Sequence, residues 1–362
     1  MKLNESIKKS PIAFEPVLGK ALSDDWAATG ELAELLKGIG GCSPYLNEIL
    51  RQEQEWISDA VFAHDPLKKM VLGELGGDPG KTLRQAKRRV AGYLALAELS
   101  GAYSLTETTQ YLTDFADMAV AAAFKSALSP YRASGKISSD DDIFIIAMGK
   151  MGARELNYSS DIDLIVMFDD RNMDQVQSVQ LRQVLVRATR SAIKLLSEVT
   201  EYGYVFRTDL RLRPDPSVTP ICVGMTSALE YYESLGRTWE RAAYIKARFC
   251  AGNYEAGTDF LKQMVPFVWR RYLDFSAIEE AHELRLKIRQ KTGIQNVSSI
   301  RGHDIKLGRG GIREIEFFTQ TRQLISGGRD PELREAQTLN ALGLLESKDW
   351  VSEAHYVKLC YL

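Results

Sequence analysis

The sequence predicts an α+β protein that is mostly helical, with one small mixed sheet flanked by N-terminal and C-terminal helical regions. Three observations predict it. From Ser23 to about Leu128 apolar residues recur at three- and four-residue spacing, the mark of amphipathic helices. The period changes at Ile143-Phe144-Ile145-Ile146-Ala147, a continuous apolar run that reads as a buried strand. After Pro220 the helical spacing returns and runs on to Leu362.

The 362 residues suffice for two or three domains with a sizeable core. A content of 45% hydrophobic and 26% charged residues is that of an ordinary soluble globular chain. The formal net charge of −2 gives no overall basic field and argues against a nucleic-acid partner. Cys42, Cys222, Cys250 and Cys360 are scattered with no CxxC pair, and the four histidines show no metal spacing. They read as incidental thiols in a reducing compartment. No apolar run reaches the roughly 18 residues of a membrane span, and residues 1–20 hold no secretory apolar core. A cytoplasmic location without membrane association is expected.

Residues 1–20 read as an irregular lead-in, followed by Ser23-Asp24-Asp25 as a capping signal. Helices are expected near 24–37, 44–63, 80–99 and 105–128, with breaks at Gly38-Ile39-Gly40-Gly41, Gly76-Gly77-Asp78-Pro79-Gly80 and Gly101. In the 80–99 helix, Lys81, Arg84, Lys87, Arg88 and Arg89 lie mostly off the apolar stripe and read as a solvated face. The polar segment from Ser129 to Asp142 is a boundary, and Ser138–Asp142 leads into the first strand. This divides the chain into 1–129, 130–225 and 226–362. A second strand is expected over 161–168, a long helix over about 174–201, and a third strand over Tyr204–Arg213. Further helices are expected near 226–248, 254–264, 275–293, 311–326 and 331–346. The chain stops inside another helical stretch, as a fragment of a longer protein would.

The chemistry centres on Met148-Gly149-Lys150-Met151-Gly152 and on the strand opening Asp161-Ile162-Asp163. Side chains alternate along a strand, so Asp161 and Asp163 share one face, roughly 6.5–7 Å apart at the backbone. Two such carboxylates can converge on divalent ions about 3.5–4 Å apart, as in phosphoryl and nucleotidyl transfer. Asp209, on the polar face of the third strand, supplies a third hard oxygen ligand. The expected ion is Mg²⁺ or Mn²⁺. Gly149 and Gly152 would let backbone N–H groups approach a phosphate. Ser159 and Ser160 either donate to phosphate oxygens or merely shape their turn. Arg211, Arg213, Lys246 and Arg248 are candidate anion ligands. A charged, solvated helix side is at least as good a reading for Lys246 and Arg248. Lys306, Arg309 or Arg313 could reach a phosphate, or Glu314 and Glu316 simply pair with nearby arginines, which is the reading preferred.

Together the glycine turn, Asp161-x-Asp163 and Asp209 resemble the nucleotidyltransferase superfamily that includes DNA polymerase β. Gly149-Lys-Met-Gly-Ala-Arg-Glu-Leu-Asn-Tyr-Ser-Ser-Asp-Ile-Asp-Leu164, Asp209-Leu-Arg-Leu-Arg-Pro214, Trp239-Glu-Arg with Ile245-Lys-Ala-Arg248, and Lys306-Leu-Gly-Arg-Gly-Gly-Ile-Arg-Glu-Ile-Glu-Phe317 narrow it. They are similar to blocks of the bacterial bifunctional glutamine synthetase adenylyltransferase/adenylyl-removing enzymes, over roughly residues 80–362. The wording Glu155-Leu-Asn-Tyr-Ser-Ser160 resembles the N-terminal of that family's two nucleotidyltransferase copies. The resemblance implies metal-dependent phosphorolysis of the adenylyl-tyrosine of glutamine synthetase, releasing ADP. It also implies control by the PII signal protein and glutamine, and absence of the AMP-attaching copy. Two alternatives stand beside it: a nucleotidyltransferase adding AMP from ATP to a protein or small molecule, and a catalytically silent module binding PII or glutamine synthetase.

Overall fold

The computed structural model describes residues 2–67, 77–137, 143–271 and 303–360. Ser138–Asp142, Gly76 and the helix expected at 275–293 lie outside the described residues. The fold is α+β and mostly helical, as the periodicity predicts, with one small mixed sheet. Contacts divide the chain into two compact units that do not follow its order. The first takes residues 1–134, 154–162 and 187–208; the second takes 135–153, 163–186 and 209–362.

The first unit opens with α1 (Pro16–Asp25) and α2 (Gly30–Cys42). Proline at the first helical position has no N–H to leave unsatisfied, so α1 starts inside the expected lead-in. Ser23-Asp24-Asp25 closes this helix rather than capping the next, and the Trp26 N–H bonds back to the Leu22 carbonyl. The expected break at Gly38–Gly41 is instead buried helix. Main chain packs on main chain there: a Cβ at Gly38 would strike the Pro11 carbonyl, and one at Gly41 would lie 2.7 Å from Ala13 Cβ and the Glu15 carbonyl. The Glu15 N–H donates to the Gly41 carbonyl at 2.9 Å.

The expected 44–63 helix is two, α3 (Pro44–Gln52) and α4 (Gln54–Phe62), broken at Glu53. Glu53 is only 4% exposed and takes Arg88 and Arg89, each at 2.8 Å, from α5 (Pro79–Leu99). Asp78 caps α5 by accepting from the Gly80 and Lys81 N–H groups. α6 (Leu105–Ala133) starts with a reciprocal Ser104–Glu107 capping box. It runs through Pro130, so Ser129-Pro130 does not stop it; the one N–H lost there falls near an exposed helix end. Leu83, Val90 and Leu94 of α5 and Leu112, Phe115, Ala119 and Val120 of α6 are buried in this unit's core.

The sheet is formed by β1 (Phe144–Met148), β2 (Ile162–Phe168), β3 (Thr208–Asp209), β4 (Cys222–Gly224) and β5 (Arg248–Gly252). A four-residue turn of helix, α7 (Gly149–Gly152), follows β1, and α8 (Gln175–Ser197) follows β2. The order is β3-β2-β1-β5, with β4 also on β2. β1 runs antiparallel to both β2 and β5, while β4 runs parallel to β2. Every residue of β1 is buried, which is why it reads as an unbroken apolar run rather than an alternating one. The strand expected over Tyr204–Arg213 shrinks to two residues. Asp209 ends it by accepting the Arg211 N–H at 2.8 Å, which turns the chain.

The helix expected over 226–248 is α9 (Met225–Ser234) and α10 (Thr238–Tyr244), and its tail is β5. α11 (Tyr254–Val268) lays Phe260 and Met264 into a core shared with Phe144, Ile146, Met148, Tyr232 and Tyr244. Beyond it come α12 (Ile312–Ser326), α13 (Thr338–Ser347) and α14 (Glu353–Cys360). No helix of the described residues is long and apolar enough to cross a membrane. All four cysteines are free thiols; Cys42 is exposed and Cys222 buried.

Candidate active site

In the second unit, the β1–β2 register sets Met148 opposite Asp163, so the turn after β1 lies beside that carboxylate. Gly149 sits at φ 55°, and a Cβ on it would lie 2.7 Å from Asp163 Oδ2. Glycine is required there both by backbone conformation and by space. Gly152 ends the turn with its Cα against the carbonyls of Lys246 and Ala147, again without room for a side chain.

Asp209 ends β3 inside the fork of Arg211, whose Nε lies 3.0 and 2.9 Å from the two carboxylate oxygens. Hydrogen bonding to that guanidinium holds the Asp209 carboxyl below the ordinary carboxylate range, against the opposing effect of partial burial. Arg213 spends its donors on the carbonyls of Leu210, Pro216 and Thr219. Burial lowers its affinity for its proton, with Asp209 opposing.

In the first unit, Asp161 is paired with Arg207, Nε to Oδ1 at 2.5 Å. The same guanidinium donates to the Ser159 carbonyl at 2.6 Å, and the Ile162 N–H donates to the Arg207 carbonyl at 2.9 Å. Ser160 accepts the Asn157 N–H on its hydroxyl and returns its own N–H to the Asn157 carbonyl. In this arrangement Ser160 shapes the turn, and Ser159 contributes its carbonyl. Arg207 is a residue that sequence reasoning missed; its position on the polar face of the expected third strand was the available signal.

Lys246 is 4% exposed and holds Glu316 at 2.8 Å and the Thr338 hydroxyl at 3.1 Å. Arg248 donates to the carbonyls of Gly152, Met151 and Phe249. Neither lies on a solvated helix side: Lys246 is buried, and Arg248 opens a strand. Glu316 therefore pairs with a lysine rather than with one of the arginines expected for it, and Glu314 accepts the Gly310 N–H at 3.0 Å among its contacts. The α5 cluster also departs from the solvated face expected of it. Arg84 donates to the carbonyls of Gly203 and Glu198, and Arg88 to that of Tyr202.

Among the described residues, no three His, Cys, Asp or Glu side chains converge closely enough to form a ready-made metal cage. Taken one by one, the three acids carry the hard carboxylate oxygens that a divalent cation takes. Asp161 and Asp209 already hold cationic partners, and the glycine cradle leaves Asp163 Oδ2 unobstructed by a Cβ at position 149. Arg207 and Arg211 occupy oxygens that an ion would take.

The family model described as glutamate-ammonia ligase adenylyltransferase matches residues 36–263, more than half of the chain. The chain belongs to this family. A model described as GlnD PII-uridylyltransferase matches residues 280–361. Curated members of the adenylyltransferase family resemble the chain closely. Each of the three that follow is named a bifunctional glutamine synthetase adenylyltransferase/adenylyl-removing enzyme. The protein of Bradyrhizobium sp. (strain BTAi1) is 40% identical, over 97% of this chain and 37% of its own length. That of Rhizobium meliloti is 48% identical, over 75% of this chain and 28% of its own. That of Rhodopseudomonas palustris (strain CGA009) is 45% identical, over 94% and 38%. The chain therefore spans less than two-fifths of the length of these curated relatives.

Proposed function

We propose that the chain is the adenylyl-removing part of a bifunctional glutamine synthetase adenylyltransferase. It would act in the cytoplasm on adenylylated glutamine synthetase and respond to PII. The observation that carries this reading is the pairing of the Gly149 turn with Asp163 on β2, next to the strand that ends in Asp209. The relatives' names support glutamine synthetase as the substrate. The wording of Glu155–Ser160 supports removal of AMP rather than its addition.

The reaction balances as follows. An oxygen of inorganic phosphate attacks the adenylyl phosphorus, the bond from phosphorus to the tyrosine oxygen breaks, and ADP and the tyrosine hydroxyl result. Phosphate is already anionic, so no strong base is needed. The leaving phenol has a pKa of about 10 and must be stabilised or protonated. Mg²⁺ or Mn²⁺ held by Asp161, Asp163 and Asp209 would supply charge neutralisation at the phosphorus oxygens. Arg211, which forks Asp209, would turn its guanidinium to phosphate oxygens in bidentate fashion. Gly149 places no Cβ of its own against the Asp163 carboxylate.

The test supplies adenylylated glutamine synthetase, Mg²⁺ and phosphate and measures ADP. Phosphate-dependent ADP release is expected. It should fall by at least about a hundredfold in Asp161→Asn and Asp163→Asn, since each removes charge stabilisation at the reacting centre. Activity surviving in either variant would sink the assignment of the acids. Formation of AMP-protein from ATP without ADP release would sink the direction.

A further inference from the structure

α5 carries a buried cation for which no carboxylate partner is found among the described residues. Lys87 is 9% exposed. Its Nζ lies 3.4 Å from the Tyr158 carbonyl, 4.1 Å above the Phe206 ring centroid and 5.9 Å from that of Phe115. The two rings tilt against each other with centroids 5.8 Å apart. This is an expensive location for a charge, answered only by one carbonyl dipole and the negative faces of two rings.

Its position explains what the charge does. Tyr158 stands three residues before Asp161, and Phe206 immediately precedes Arg207. On their outer side the two segments are joined by the Arg207 contacts to Asp161 and Ser159, and by the Ile162–Arg207 backbone bond. On their inner side Lys87 touches both. The loop has further moorings: the Tyr158 hydroxyl donates to Glu98 at 2.8 Å, the Leu156 N–H to Thr113, and Arg154 pairs with Asp114. Lys87 alone among these reaches both the Tyr158 and Phe206 segments.

We propose that Lys87 is a positioning residue, whose ammonium between the Tyr158 carbonyl and the Phe206 and Phe115 rings fixes the segment ending in Asp161 against the segment carrying Arg207. It touches neither substrate nor the reacting atoms; it acts through the loop. Burial lowers its pKa to about 7. The surrounding charges are engaged elsewhere. On α5, Arg84 and Arg88 hold carbonyls and Glu98 holds Tyr158; on α6, Asp114 holds Arg154; on the two segments, Asp161 holds Arg207. Asp117 of α6 and Glu155 of the loop also have partners of their own. With no neighbouring acid to retain it, the Lys87 proton is given up above pH 7, which relieves the burial cost of the charge while the uncharged amine keeps its place between the carbonyl and the rings.

The catalytic meaning of this positioning rests on the proposed role of Asp161, but its test does not. Amide hydrogen exchange of Ser160 and Ile162 in the full chain is compared between the wild type and Lys87→Met. Faster exchange in the variant by about tenfold is expected at pH 6.5, with the thermal midpoint not lowered. In the wild type, protection corrected for intrinsic exchange should rise as pH rises above 7, because an opening that hydrates Lys87 binds the proton that the closed form has lost; in Lys87→Met it should be flat. Unchanged protection overturns the proposal. So does a uniform loss across α5 and α6 with a lower thermal midpoint, which would make Lys87 a packing residue only. A parallel Mn²⁺ titration separates the two readings. Wild-type protein that binds no Mn²⁺ defeats the metal assignment of Asp161, while the exchange data still decide on Lys87.

Discussion

Arg207 and Arg211 each hold a carboxylate that the sequence assigns to metal, and both guanidiniums are substantially exposed. The Arg207–Asp161 pair is exposed on both sides and such pairs contribute roughly 0–1 kcal/mol, so the divalent cation proposed for Asp161 would have little to displace there. Gly149 is less forgiving. Gly149→Ala forces a side chain onto a positive φ and against Asp163, and should cost about 1–2 kcal/mol of stability and weaken Mn²⁺ binding. A urea midpoint together with a Mn²⁺ titration checks it; unchanged values for both would remove the cradle from the argument. Lys87 makes a second prediction, in pH. Its folded-state pKa of about 7 lies below its ordinary value of 10.5, so between these values the unfolded chain binds the extra proton. Stability should therefore rise with pH across that window, by at most about 1.4 kcal/mol per pH unit. Below pH 7 the full burial cost remains. Denaturant midpoints of wild type minus Lys87→Met isolate this slope, and a zero difference would refute it. The glycine turn after β1 was legible in the sequence because its residue types are restrictive. The partners of Arg84, Arg88, Arg213 and Arg248 were not, because all four donate to backbone carbonyls, which every residue carries.

At the scale of elements, long amphipathic helices were the readable part. Asp78 and Ser104 start α5 and α6 close to where the pattern puts them, because caps are local chemistry. The short strands were poorly readable: β4 and β5 have three and five residues, too few to establish a period of two, and the alternation over Tyr204–Arg213 overran the two residues of β3. The α3–α4 break was hidden for another reason. Glu53 interrupts an otherwise helical stretch, and its two arginine partners are thirty-five and thirty-six residues away. Glu53→Gln leaves Arg88 and Arg89 facing a neutral group in a buried site and should cost about 3 kcal/mol. A drop in urea midpoint without a change in slope would show it, whereas a loss near zero would mean that α3–α5 packing stands without the pair.

Across the whole chain, each unit is built from sequence-distant pieces, with passages between units at 134/135, 153/154, 162/163, 186/187 and 208/209. The helical region ending near residue 134 is thus incomplete by itself. Without 154–162 and 187–208, Arg84 and Arg88 lose the carbonyls of Glu198, Tyr202 and Gly203, and Lys87 loses Phe206 and Tyr158. An isolated 1–134 fragment should melt well below the full chain, or fail to melt cooperatively, in a thermal scan followed by circular dichroism. A cooperative melt at the full chain's temperature would show that the two later segments are passengers. Periodicity does not disclose such discontinuity, since it reports what each stretch is rather than what it joins.

The glycine-bearing face of α2 has one more consequence. A helix containing Gly38, Gly40 and Gly41 is intrinsically poor, and what compensates is a lodger: the strip around Pro11–Glu15 that lies where side chains at 38 and 41 would otherwise project. Landlord and lodger are held by backbone, through the Glu15–Gly41 bond and the Cys42 thiol on the Ile12 carbonyl. Evicting the strip would strand a surface with almost no side chains of its own to find a substitute. Trimming residues 1–15 by protease should therefore unravel the end of α2, even though most of the described residues removed are polar, exposed or both.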